Sequence, residues 1–458
     1  MNIIKEEGSF RDPSGFLFWQ DGTLYRKVNK IYQNNYELLI NSGLYQKLID
    51  KDLLISHQEV EQNFSDVECF KVIQPEIIPF ISYPYEWSFS QIKDAALLTL
   101  EIQKIALEYG MSLRDCSVYN VQFKNGKPIF IDTLSFEKCK DGSPWVAYKQ
   151  FCQHFLAPLA LMGFKDVRLN QLLRVYIDGI PLDLASSLLP KKSYFKLSLL
   201  LHIHMHAKSQ KRYEDTVVKK QKLNRKISKN SLRALVDNLE SGIKGLKWKA
   251  GGTEWADYYD GDSYNQEGFE DKKRLVADFL NIAKPLTVWD LGANDGVFSR
   301  IASKAGAFVL SSDIDPACVE NNYLEVGKNK EKSIFPLLID LTNPTSGIGW
   351  DNVERKSLKR RGPVDVVMSL ALIHHLAISN NVPFDKISKF FSELGKWLII
   401  EFIPKCDKKV QKLLATREDV FPRYTKENFE SEFSKYFTIE FSFQIKDSDR
   451  VLYLMKKN

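Results

Sequence analysis

Val288-Trp-Asp-Leu-Gly-Ala-Asn-Asp-Gly-Val-Phe-Ser299 is the stretch around which the 458-residue chain is read. Thr287, Val288 and Trp289 are strand formers, and the residues after Val297 carry helical spacing, so the segment predicts a buried strand, a tight glycine turn and the opening of a helix. Gly292 and Gly296 allow close backbone approach, and Asp290 closes the strand with a carboxylate. In doubly wound sheets a ligand sits where strand ends meet helix starts. Working outward, Phe308–Ser312 predicts a second strand ended by Asp313, with Asp315-Pro316 fitting a helix N-terminus. Ile334–Ile339 predicts a third strand ending at Asp340-Leu341, and Val364–Ser369 a fourth, followed by His374 and His375. Trp397–Phe402 predicts a fifth, and Phe437–Phe443 with Arg450–Met455 a closing antiparallel pair. Acids end three successive strands, and one about 20 residues past the glycine turn suits a ribose diol.

The motif D-x-G-x-x-x-G resembles the first motif of class I methyltransferases dependent on S-adenosylmethionine; an α/β domain for another nucleotide is the competing reading. The resemblance implies a Rossmann-like seven-stranded α/β domain over 250–458. It also implies cofactor contacts from Asp290, Gly292, Ala293, Asn294, Gly296, Asp313, Ile314 and Ser369, with Asp340 and Leu341 around the adenine. The lead-in at 253–280 resembles the segment that folds over the cofactor in such enzymes, making Trp255 and Tyr259 candidate pocket residues, while Phe269, Leu275, Val276 and Phe279 suit a packing helix. Methyl transfer to a hydroxyl calls for a base, and His374 or His375 is placed to serve, although a pair of packing histidines is an equal reading. Ser369-Leu-Ala-Leu372 stands where amide-methylating enzymes carry D/N-P-P-Y/F, which favours a saccharide or other small polar acceptor over an amide nitrogen.

The first 207 residues read as an α+β domain, with a hairpin lobe to about 88 and a helical lobe to 207. Residues 13–28 predict a hairpin about Asp21-Gly22, helices are expected over 32–50 and 90–109, and further strands over 53–56 and 72–75. Asp115 and Asn120, a short hairpin, then Asp132 after an apolar strand resemble the catalytic loop and metal-binding acid of protein kinases and small-molecule phosphotransferases. That resemblance implies Asp115 as the proton acceptor, Asn120 and Asp132 holding magnesium, and Lys27 with Glu37 gripping phosphate. Leu113 in place of histidine, Thr133-Leu134 after the acid and the missing glycine-rich loop depart from the pattern. A bifunctional kinase–methyltransferase using Mg-ATP, an inert kinase-like lobe and a non-enzymatic nucleotide-sensing module therefore stand beside the methyltransferase.

His202, His204 and His206 alternate, but a helix there makes them diverge, away from a metal site. Residues 208–249 are rich in Lys and Arg and read as a basic, partly helical linker, solvated or meeting an acidic sugar, lipid phosphate or nucleic acid. A net charge of +6 over this length argues against an obligate nucleic-acid binder. The six cysteines show no C-x-x-C pair and no segment has the apolar length of a membrane span, so a cytoplasmic protein with reduced thiols is expected. The resemblance to bacterial two-domain methyltransferases of the NoeA-like group, in Gly349–Arg355 and Ile373–Asn381, runs over most of the chain.

Overall fold

Near-continuous apolar runs such as Val364–Ser369 suit strands covered on both faces, and the computed structural model places them so. It describes residues 3–61, 67–208, 227–252, 266–415 and 418–458. The chain divides into two units, one of residues 1–249 with 348–355, the other of 250–347 with 356–458.

The second unit holds a seven-stranded sheet of β10 (Thr287–Leu291), β11 (Phe308–Asp313), β12 (Ile334–Leu338), β13 (Val364–Ser369), β14 (Gly395–Phe402), β15 (Phe437–Gln444) and β16 (Val451–Lys457). Its spatial order is β12-β11-β10-β13-β14-β16-β15. The first five are parallel, and β16 runs antiparallel between β14 and β15. The chain builds outward from β10 through β11 to β12, then returns to β13 on the other side. The crevice at that reversal opens at the carboxyl ends of β10 and β13. The helix Gln266–Ala283 buries Leu275, Val276, Phe279 and Leu280 in the same core as Val288, Val309, Val366 and Ile399.

The first unit begins with an antiparallel sheet in the order β1-β2-β3-β5-β4, formed by Ile3–Lys5 (β1), Gly15–Gln20 (β2), Thr23–Asn29 (β3), His57–Val60 (β4) and Cys69–Pro75 (β5). Asp21 and Gly22 both take positive φ (50° and 79°), the two-residue turn that matches strand twist. The helix expected over 32–50 is two helices, Gln33–Asn41 and Leu44–Asp50, because Gly43 enters the left-handed region at φ 83° and ends the first. The expected strand at 53–56 is displaced to β4, leaving Leu54 as a lone bridge to Phe130. Ser88 caps the helix Phe89–Glu108 with a reciprocal Gln91 bond. A hairpin at Val121–Lys124 and Lys127–Phe130 turns on Asn125-Gly126.

Part of the stretch read as a linker, 209–226, lies outside the described residues. Its continuation packs along one face and is solvated along the other: the helix Lys229–Gly245 buries Leu232, Val236, Leu239 and Ile243, and Lys104 pairs with Asp237 (2.5 Å) and Glu240 (2.6 Å). His202 and His204 lie on a helical segment and diverge, His202 meeting Tyr148 (2.7 Å) and Asn238 (2.9 Å), His204 meeting Ser186 and Ser193 (both 2.8 Å). Residues 348–355, drawn from the connection between β12 and β13, belong to this first unit. There Glu354 accepts two bonds from Arg11 (2.6 and 2.9 Å) and one from the Trp350 amide (3.0 Å), and the Arg355 guanidinium lies 4.2 Å over the Tyr119 ring.

Candidate active site

A cavity of about 300 Å³ lies in the crevice of the seven-stranded sheet. One wall is the glycine turn: Asp290, Gly292, Ala293 and Asn294 line it together with Asp313 and Ile314 from the end of β11. Ser299 donates to Asp290 Oδ2 at 2.6 Å, and the amides of Asn294 (2.8 Å) and Asp315 (2.9 Å) donate to the two oxygens of Asp313. Burial pushes the carboxyl of Asp290 up to about 7 and that of Asp313 up to about 6, each partly offset by those donors. Gly292 has φ 82°, and a side chain there would press on Leu372 from across the cavity.

Leu370, Ala371, Leu372, His375, Ser379 and Asn380, following β13, form the opposite wall. That loop is held from beneath by Glu401, fully buried on β14, which accepts from the Ala371 amide (2.8 Å) and from Lys272 Nζ (2.7 Å). Lys272 itself lines the cavity, its ammonium 4.7 Å over the Phe298 ring. Arg450 reaches Glu401 (3.4 Å) and clamps Asp407 (2.7 and 3.1 Å). Lys272, Glu401, Arg450 and Asp407 thus form one linked chain of charges, and the Asp290 carboxyl acts on Lys272 as well. Burial holds His375 down to about 4, so its imidazole is neutral at physiological pH.

Several of the residues expected around a cofactor do not line this cavity. His374 is buried behind His375, with rings 4.1 Å apart; neither of its ring nitrogens has a partner among the described residues, and it does not line the cavity. Ser369 is fully enclosed at the end of β13, so the residues after it supply the wall. Asp340 and Leu341 are absent from the lining; Asp340 accepts from the Thr342 amide (2.8 Å) and hydroxyl (2.7 Å). Gly296 starts the helix Val297–Lys304 at φ 84°, but the space of its missing side chain faces Asn322 and Arg300, within 2.8 Å, rather than a ligand. Gly296→Ala is therefore expected to cost about 1–3 kcal/mol through backbone strain and crowding, checked by urea unfolding. Trp255 and Tyr259 lie outside the described residues. Phe269, assigned to packing from its spacing, lines the cavity with Phe298, Lys272 and Leu413.

In the first unit Asp115, Asn120 and Asp132 do come together, but an arginine stands against Asp132. Arg26 Nη1 lies 2.5 Å from Asp132, whose oxygens also accept from Ser135 (2.6 Å) and the Leu134 amide (3.0 Å). Burial raises the Asp132 carboxyl, yet Arg26 and these donors outweigh it and hold it below its ordinary value. Asp115 accepts from Gln150 (2.7 Å) and the Ser117 amide (2.9 Å), and is raised by burial and then by Asp132. Asn120 donates to Ser135 (3.2 Å). Lys27 is buried on β3 near the Phe16 ring, whereas Glu37 is exposed and accepts from Gln33. Because a guanidinium stands against the acid that would bind magnesium, the group does not fit Mg-ATP, and no phosphoryl-transfer step is derived from it.

Five parallel strands with this reversal, an antiparallel closing pair, and a strand-end cavity between an acidic glycine turn and the loop after β13 define the class I methyltransferase fold. The whole chain has a curated relative: it is 34% identical over 458 residues to nodulation protein NoeA of Rhizobium meliloti (strain 1021), covering 98% of this chain and 96% of that one. The chain belongs to the NoeA family. No family profile matches it. Among solved structures, it resembles magnesium protoporphyrin IX methyltransferase (ChlM) from Synechocystis PCC 6803 with bound SAH (18% identity, TM-score 0.33, 44% of this chain and 93% of that one). It also resembles N-methyltransferase NodS from Bradyrhizobium japonicum WM9 (9%, TM-score 0.33, 42% and 98%) and the bifunctional kinase-methyltransferase WbdD (15%, TM-score 0.31, 45% and 43%).

Proposed function

We propose that the protein is an S-adenosylmethionine-dependent methyltransferase acting on a hydroxyl of a saccharide or another small polar acceptor. The observation that carries this reading is one cavity with two chemically different walls, ionisable carboxylates on the glycine-turn side and a neutral histidine on the other. Asp313, at the end of β11, is positioned to accept from a ribose diol, while Gly292 keeps the turn low enough for a ligand to lie across it. Lys272 and the aromatic faces of Phe269 and Phe298 border the same space. Bound there, S-adenosylmethionine supplies an electrophilic methyl carbon.

The rest falls to the protein. Leu370, Leu372 and Leu413 exclude water, which favours displacement over hydrolysis. Ser379 and Asn380 offer neutral hydrogen bonds that orient a hydroxyl, and a ring nitrogen of the uncharged His375 can take its proton as the new bond forms. His375 is thus the base and His374 the residue packed behind it. Calorimetric titration tests the reading: S-adenosylmethionine is expected to bind with 1:1 stoichiometry, and ATP with magnesium to give no binding heat. No heat with the first ligand would overturn the proposal; magnesium-ATP heat abolished by Asp132→Ala would restore the bifunctional one.

A further inference from the structure

Phe195 is 91% exposed, and on the helical segment that follows it Leu197 (61%), Leu201 (39%) and Met205 (53%) are exposed as well. Spaced by four, the last three share a face, while Leu199, His202, Ile203 and His204 are buried on the other. Single exposed apolar residues are ordinary, but three on one face, with Phe195 just ahead of them in the chain, form a patch that calls for a covering partner. The charge of this segment is of one sign. Lys191, Lys192, Lys196 and Lys208 are exposed in it, and no Asp or Glu occurs from residue 184 to residue 208.

We propose that this face docks onto an anionic lipid bilayer, with Phe195, Leu197, Leu201 and Met205 entering the headgroup–acyl boundary and the lysines meeting lipid phosphates. Aliphatic insertion and cationic attraction together are the two signals that stable surface adsorption needs, since either alone binds weakly. Long lysine stems let the ammonium groups reach phosphate level while the helix lies flat. Nucleic acid would match the charge but only one of the apolar side chains: Phe195 offers a ring for base stacking, whereas Leu197, Leu201 and Met205 offer none and Tyr194 is already stacked on His204 at 3.7 Å. The proposal concerns adsorption only, for no described helix is long and apolar enough to cross a membrane.

The test is co-sedimentation of the full chain with vesicles of phosphatidylcholine alone or mixed with phosphatidylglycerol. The expected result is binding to the mixed vesicles only, weakened by salt. It should fall roughly 100-fold in Lys191→Gln/Lys192→Gln/Lys196→Gln, at about fivefold for each lysine, and at least about tenfold in Phe195→Ser/Leu197→Ser. All the altered side chains are exposed, and circular dichroism checks that both variants are folded. Three results would overturn the proposal: no binding to mixed vesicles, equal binding to neutral ones, or self-association abolished by Phe195→Ser/Leu197→Ser, which would assign the face to a second copy. Cofactor titration plays no part in this readout, so its outcome is independent of the methyltransferase reading.

Discussion

Glu401→Ala is expected to destabilise the protein by about 3–5 kcal/mol, the cost of leaving a buried charge without its partner. Lys272 would lose the carboxylate 2.7 Å from its ammonium, and the Ala371 amide its acceptor at 2.8 Å. Arg450 would still hold Asp407, so the damage falls on the helix at 266–283 and on the loop after β13. The pair is not in itself strongly stabilising, because burial already lowers the lysine's pKa and opposes its charge. Lys272→Met/Glu401→Leu should accordingly recover most of what Glu401→Ala loses, since apolar replacement removes both desolvation costs. Urea unfolding of the parent, the single variant and the double variant measures this. A single variant within about 1 kcal/mol of the parent, or a double variant worse than the single, would show that the cluster does not act as described. Ala371 sits at φ 50°, a conformation its side chain disfavours, so Glu401 also fixes the shape of the cavity wall.

Asp313→Ala is expected to weaken S-adenosylmethionine binding roughly 100-fold, from the loss of two hydrogen bonds to a charged acceptor at about 1.5 kcal/mol each. The same group predicts a pH dependence. Its carboxyl ionises at about 6 in the folded protein, so the fraction able to accept from two hydroxyls falls below that pH, and affinity should drop roughly tenfold between pH 8 and pH 5. Asp290, ionising at about 7, adds in the same direction. His375 remains neutral over this range and contributes nothing to it. The sign for folding is opposite. A carboxyl raised above its unfolded value stabilises the fold fully below about 4 and loses that contribution as pH rises through 6 to 7, so the free protein is less stable where the cofactor binds best. Calorimetry across pH, with Asp313→Asn as the variant that should flatten the profile, decides the matter; an unchanged profile in that variant would exclude Asp313 as the titrating group.

The sheet was legible because parallel strands are written as short apolar runs with an acid at the end, as in β10 and β11, where local sequence and fold agree. The carboxylate wall of the cavity followed from the same local signals. What could not be read was set by distance or by phase. Lys272 finds Glu401 across 129 positions and Arg26 finds Asp132 across 106, so neither ion pair leaves a local trace. His374 and His375 are adjacent, but at a helix start one faces the core and the other the cavity, a difference of a single rotational step. Phe269 has the spacing of a packing residue, yet three positions from Lys272 it turns to the cavity. In the first unit the acid–asparagine–acid pattern was visible, but the guanidinium that neutralises it comes from the opening hairpin.

The eight residues 348–355 bear on how such a chain can be inherited. Their Glu354 is the partner of Arg11, although 343 positions separate the two, and they are spelled out within the sequence of the seven-stranded unit. A single recombination near residue 249 that gave the first unit a new neighbour would strip it of this piece and leave Arg11 without its acid. A transplanted methyltransferase unit would likewise carry a loop matched to a surface it no longer has. Exchange of one unit alone is therefore costly, and the match to NoeA spans both units.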